Sequence, residues 1–82
     1  QESIALYPNP TSSSCYVTFT VQQKQEVHIE FLNIQGQLVQ ARTVSAVGAE
    51  IQHFNLVGVS PGVYLVKVYS ENDRAYKRLV IR

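Results

Sequence analysis

Cys15, His28, His53, Asp73 and the serines Ser12, Ser13 and Ser14 are the side chains in this chain suited to nucleophilic or metal-assisted chemistry. Serine, histidine and aspartate together can run acyl transfer, provided that the histidine takes the serine proton and the carboxylate orients it. Here the serines stand in a polar connection, Thr11 to Ser14, with no nucleophile-elbow pattern around them. The two histidines fall singly on different strands, with no Cys, Asp or Glu at a ligand spacing, so no metal site is expected. Cys15 has no electropositive neighbour to stabilise a thiolate, and it reads as an ordinary strand residue. As the single cysteine it cannot form an internal disulfide, so packing must hold the fold. These residues predict a non-catalytic module that needs no cofactor.

The charges are more informative. Seven basic and six acidic residues give a net charge of +1, too weak a field to suggest nucleic acid as a partner. Four of the seven basic residues (Arg74, Lys77, Arg78 and Arg82) nevertheless fall in the last nine positions, which contain no carboxylate side chain. No run approaches the roughly 18 apolar residues of a membrane span, so membrane insertion is not expected. The start, Gln1-Glu2-Ser3, has neither a Met nor a signal-peptide pattern and reads as the beginning of a C-terminal domain cut from something longer.

Alternation places these residues on strands. Ile4 to Tyr7 is a short strand stopped by Pro8-Asn9-Pro10, where two backbone donors are missing. Cys15 to Val21 alternates with Val17, Phe19 and Val21 on one face, and after a polar reversal at Gln22 to Glu26 so does Val27 to Leu32. Asn33 to Gly36 closes a hairpin onto Leu38 to Val44, whose inward face alternation leaves ambiguous. A break at Ala46 to Ala49 leads to Ile51 to Leu56, with Phe54 and Leu56 inward. The turn signal Pro61-Gly62 then starts a strand from Gly62 to Ser70, with Tyr64, Val66 and Val68 on its core face. Glu71-Asn72-Asp73 turns the chain into a last strand, Arg74 to Ile81, with Leu79 and Ile81 inward. Seven short strands in one 82-residue domain predict an all-β fold, a seven-stranded antiparallel β-sandwich of immunoglobulin-like type. A small barrel is the alternative. Unpaired edges also make a dimer through exchanged strands an expectation for the isolated domain.

Four motifs occur in order: Tyr7-Pro8-Asn9-Pro10, then Phe31 to Val39 with Asn33 and Gly36 at its turn, then Leu56 to Val68 with Pro61, Gly62 and Tyr64, and finally Lys77-Arg78-Leu79-Val80-Ile81. Together they resemble the C-terminal sorting domain of the type IX secretion system of Bacteroidota, over essentially the whole chain. Leu32-Asn33 stands where that family commonly has Tyr-Asp, Gln37 replaces a usual Arg or Lys, and Asp73 occupies a turn where Gly is frequent. The resemblance implies a sorting signal rather than a catalyst. Its implied partners are the outer-membrane translocon with its shuttle components and a sortase, with periplasmic transit ending at the cell surface or outside the cell. Gln1 to Ser3 would lie near the sortase cleavage point.

The implied contact surface is Glu71, Asn72, Asp73, Arg74, Lys77, Arg78, Leu79, Val80, Ile81 and Arg82, a basic edge beside an apolar one that suits β-augmentation or charge pairing. The same charges would also guard an edge strand against aggregation. A rival of another class is an adhesion or carbohydrate-binding module that uses Tyr7, Tyr16, Tyr64, Tyr69 and Tyr76 as a stacking strip. That rival requires exposed aromatics converging on one patch.

Overall fold

The computed structural model describes residues 4–82, so the expected cleavage region Gln1 to Ser3 lies outside the described residues. Five strands account for most of the chain: β1 (Ile4–Tyr7), β2 (Ser14–Leu32), β3 (Leu38–Asn55), β4 (Gly62–Tyr69) and β5 (Arg74–Ile81). All are joined in one antiparallel sheet. No helix of the described residues is long and apolar enough to cross a membrane.

The all-β expectation holds, but five strands in one curled sheet replace seven strands in two sheets. Gln22 to Glu26 does not reverse the chain, and Ala46 to Ala49 does not interrupt it. Both stretches lie inside long strands paired with each other, where Gln22–Lys24 of β2 oppose the single residue Val47 of β3 between the pairs Val21–Gly48 and Gln25–Ala46. Extra residues on one strand bend a ladder without breaking it. Gly48, at φ +75°, supplies the left-handed conformation that the bend requires.

The bend folds the β2–β3 ribbon over, so that Phe31 in one half meets Phe54 in the other at 4.7 Å between ring centroids. One edge of β2 is taken by β3 along its length. Its other edge is shared, β1 pairing with residues 16–19 and β4 with residues 28–32. The core lies inside this curl and includes Val17, Ile29, Phe31, Phe54, Val66 and Leu79, all nearly or fully inaccessible.

The inward face of the first half of β3 carries Gln40, Arg42, Val44 and Ala46. Two of these are polar because they close a seam. Gln40 Nε2 donates to the carbonyl of Asn55 at 2.7 Å, while Arg42 Nη1 donates to the carbonyl of His53 at 2.9 Å and to Gln52 Oε1 at 3.1 Å. The Arg42 guanidinium also stacks 4.0 Å above the Phe54 ring. Long polar side chains thus satisfy backbone acceptors at an edge that no further strand of the described residues covers.

Candidate recognition surface

Residues 8–11 close the sheet's other seam, against β5. Asn9 Nδ2 donates to the carbonyl of Arg78 at 2.8 Å, and the Val80 amide donates to Asn9 Oδ1 at 3.1 Å. The Thr11 amide donates to the Val80 carbonyl at 2.9 Å and the Arg82 amide to the Thr11 carbonyl at 2.8 Å, making a parallel bridge. Thr11 is itself fixed by a hydroxyl bond to the Ser14 carbonyl. The Pro8-Asn9-Pro10 signature is therefore a strap on the last strand, with both X-Pro bonds cis. Losing both Asn9 side-chain bonds in Asn9→Ala should lower stability by about 1 kcal/mol at this exposed site. That corresponds to a fall in Tm of roughly 4–8 °C in calorimetry, and an unchanged Tm would show that the strap contributes nothing.

The strap changes what β5 can offer a partner. Its C-terminal half, from Arg78 onwards, already spends outward-facing backbone groups on Asn9 and Thr11, so strand addition there is blocked. Leu79 and Ile81, expected at the contact surface, are core residues at 0% and 3% exposure and cannot be touched in the folded state. Arg74, Lys77, Arg78 and Arg82 are exposed, Val80 is half-buried, and Glu71, Asn72 and Asp73 form the turn at the far end of the strand. The ten residues span the length of β5, roughly 25 Å. They form an edge and its two ends rather than one patch.

The other motif residues have local structural work. Asn33 Oδ1 accepts from the amides of Gln35 at 3.0 Å and Gln37 at 2.9 Å, its Nδ2 donates to Gln37 Oε1, and Gly36 completes the turn at φ +83°. That confirms the hairpin and explains why Asn serves at this position. The reversal before β4 lies earlier than Pro61-Gly62, at Leu56–Val59, where the Val59 amide donates to the Leu56 carbonyl and Gly58 takes φ +89°. Pro61 and Gly62 instead lead into β4, and buried Tyr64 donates its hydroxyl to the Ser60 carbonyl. The Asn33 turn and the 58–62 connection line one shallow groove, and the Leu56 amide bonds the Ser13 carbonyl. Three motifs and the strapped end of β5 thus gather at one end of the domain. The Ser70–Asp73 turn lies at the other, beside Phe19, Val21 and Val27.

The residues with catalytic potential do not assemble. The serines sit near Leu56, while Asp73 lies at the opposite end. His28 Nδ1 pairs with Thr43 Oγ1 at 2.9 Å, and His53 packs against Tyr16. Among the described residues no group of three metal-ligating side chains occurs. Cys15 is fully buried; burial pushes its thiol above the ordinary value, opposed by a backbone hydrogen bond from Tyr7.

The tyrosines do not form one strip either. Tyr64 is in the core, Tyr69 and Tyr76 lie on one outer face, and Tyr7 and Tyr16 lie on another. Tyr7 and Tyr16 stack at 5.2 Å with a 14° interplanar angle, and His53 lies 4.9 Å beyond Tyr16. Rings packed against one another present edges to solvent, whereas a sugar stacks on open faces. This ladder reads as cross-strand stabilisation.

Sequence reasoning placed Val63, Leu65, Lys67 and Tyr69 opposite the core face of β4 but missed that they meet Leu32 and Leu38 on the outer face beside β5. Leu32 lies between Leu38 and Leu65, Leu65 faces Arg78, and Val63 faces Val80, so an apolar row crosses three strands and ends on Arg78, with Val63 and Val80 beside it. Leu38, Val63 and Leu65 are 56%, 43% and 38% exposed. Beside it Lys67 faces Glu30 and Tyr76, with its Nζ 4.6 Å above the Tyr69 ring. The Tyr69 hydroxyl donates to Glu30 Oε2 at 2.8 Å, and that hydrogen bond, aided by partial burial and the carboxylate's charge, raises the Tyr69 pKa. Strand parity puts Leu32, Leu65 and Val63 opposite the core residues of their strands, and the register brings them together.

No curated protein matches this sequence. In fold the chain is similar to part of a protein described as dimeric latent PorU from Porphyromonas gingivalis, with a TM-score of 0.74 and 18% identity over 98% of this chain and 9% of that one. The chain therefore spans less than a tenth of that protein's length, and the likeness establishes the fold. Residues 5–82 match the secretion system C-terminal sorting domain, so the motif order, the strapped last strand and the curled five-stranded sheet have a common account: the chain belongs to the family of type IX secretion C-terminal sorting domains.

Proposed function

We propose that this domain is the address read by the outer-membrane translocon of the type IX pathway, carried at the C-terminal end of a longer cargo and passed to a sortase for processing and surface attachment. Family membership supplies the sorting role. The observation that carries the finer reading is the placement of Arg74 and Arg78, exposed on a last strand whose facing neighbours across the ladder include no carboxylate, with Arg82 exposed just beyond its end. Such uncompensated charge favours steering towards an acidic receptor. The shape suits the role as well. Ile4 pairs with Phe19, at the end that carries the Ser70–Asp73 turn, so cargo joined there leaves the motif end free.

A reporter with a periplasmic signal peptide at its front and residues 1–82 at its back tests this in hosts with and without the translocon. Delivery to the surface or medium is expected only where the translocon is present. Periplasmic retention of the folded reporter in both hosts would overturn the reading and return attention to a binding module.

A further inference from the structure

We infer that the domain is read through the outer face of its sheet, by a protein surface with an apolar centre and carboxylates placed to meet Arg78 and Arg82. The inference rests on the sorting role proposed above and specifies its contact. Its location follows from two observations. The C-terminal half of β5, which carries Arg78 and is followed by Arg82, is strapped by Asn9 and Thr11, which removes strand addition as the means of recognition there. Directly beside it, Leu38, Leu32 and Leu65 form a continuous row ending on Arg78, with Val63 and Val80 as the next pair towards Arg82.

The charge pattern selects the occupant. The acidic residues of this side, Glu26, Glu30 and Glu71, lie on the other part of the face or towards the Ser70–Asp73 end, and Glu30 is already engaged by Tyr69 and faces Lys67. Among the described residues the exposed charges bordering the apolar row are those of Arg78 and Arg82. A second copy of this chain in two-fold pairing through the row would set basic groups against basic groups, so self-association does not fit. A polyanion or lipid headgroup layer would require a continuous basic surface, and here leucine and valine interrupt it. An apolar patch with carboxylates at its border complements both features.

The test uses the reporter fusion in the translocon-bearing host. Arg78→Glu and Leu65→Gln should each reduce the rate of surface delivery about tenfold or more, by placing like charge or an unmatched polar group in the contact. Arg78→Lys should keep most of it, and Ile51→Gln on the opposite outer face should change nothing. Fold integrity is read independently as continued protection of Cys15 from alkylation in the periplasmic pool. If the unmodified reporter is exported and folded Arg78→Glu and Leu65→Gln fusions leave at the same rate, the face is not the contact. Loss of export in Arg78→Lys equal to that in Arg78→Glu would overturn charge pairing. Binding of the purified fusion to phosphatidylglycerol vesicles that Arg78→Glu abolishes would reassign the face to lipid. Translocon-independent retention of the unmodified reporter would mean instead that the sorting role itself fails.

Discussion

Val17→Asp is expected to abolish the cooperative thermal melt of this domain. Val17 is fully buried in β2, between Leu6 and Gln52 across the ladders, within an apolar cluster. Removing its apolar surface loses about 1.5–3 kcal/mol, and leaving a charge buried without a partner costs about 3–5 kcal/mol more. A chain of this length has only about 4–12 kcal/mol in total. The position matters, because the more obvious choices are compromised by nearby cations. Lys77 faces Val66, and the Arg42 guanidinium lies over Phe54, so an aspartate at either site gains a partner. Val66→Asp should therefore retain more stability than Val17→Asp, from which the same side chain is lost. Circular dichroism on heating measures both, and alkylation of the buried Cys15 gives a second readout next door. An unchanged melt for Val17→Asp would show that the odd-numbered face of β2 does not form the core.

That odd-numbered face also shows how much of the fold was legible. Every inward residue of β2, from Cys15 through Val21 and on to Phe31, keeps the same parity across Gln22 to Glu26. An actual hairpin has no reason to preserve that phase. By composition the polar stretch reads as a reversal, whereas it is polar because the bent ribbon leaves it uncovered. The same cause hid β3: Gln40, Arg42 and Gln52 share the inward parity with Phe54, but they meet at a seam where one half of the strand faces the other. Local alternation cannot report such a long-range closure. Tyr64, Val66, Val68, Leu79 and Ile81 were legible because β4 and the end of β5 have a simple apolar inner face.

The candidate site was legible as charge and as strand parity, but not as one patch. Arg78 and Arg82 stand out in the sequence, but their apolar neighbours Leu32, Leu38 and Leu65 come from three different strands and meet only through register. Likewise, nothing local in Pro8-Asn9-Pro10 says that Asn9 bonds a strand some seventy positions away. Turn chemistry explained the prolines and missed the strap.

The strap bears on the most direct experiment, truncation of Lys77 to Arg82. This deletion should abolish export, yet it should also unfold the domain. It removes Leu79 and Ile81 from the core, each worth about 1.5–3 kcal/mol of burial. It also removes both side-chain partners of Asn9 and both backbone partners of Thr11. Against about 4–12 kcal/mol of total stability, the truncated chain should show no cooperative melt, and its Cys15 should react with thiol reagents as in denaturant. A truncated chain that kept its Tm would contradict the placement of the β5 end in the core. Export lost by this deletion therefore reports folding and recognition together. Arg78→Glu separates them, because its backbone bond to Asn9 and the buried neighbours Leu79 and Ile81 are untouched. It should keep Cys15 protected, keep its melt within a few degrees and still fail to leave the periplasm. Recognition then resides in side chains displayed by a folded sheet rather than in a linear tail.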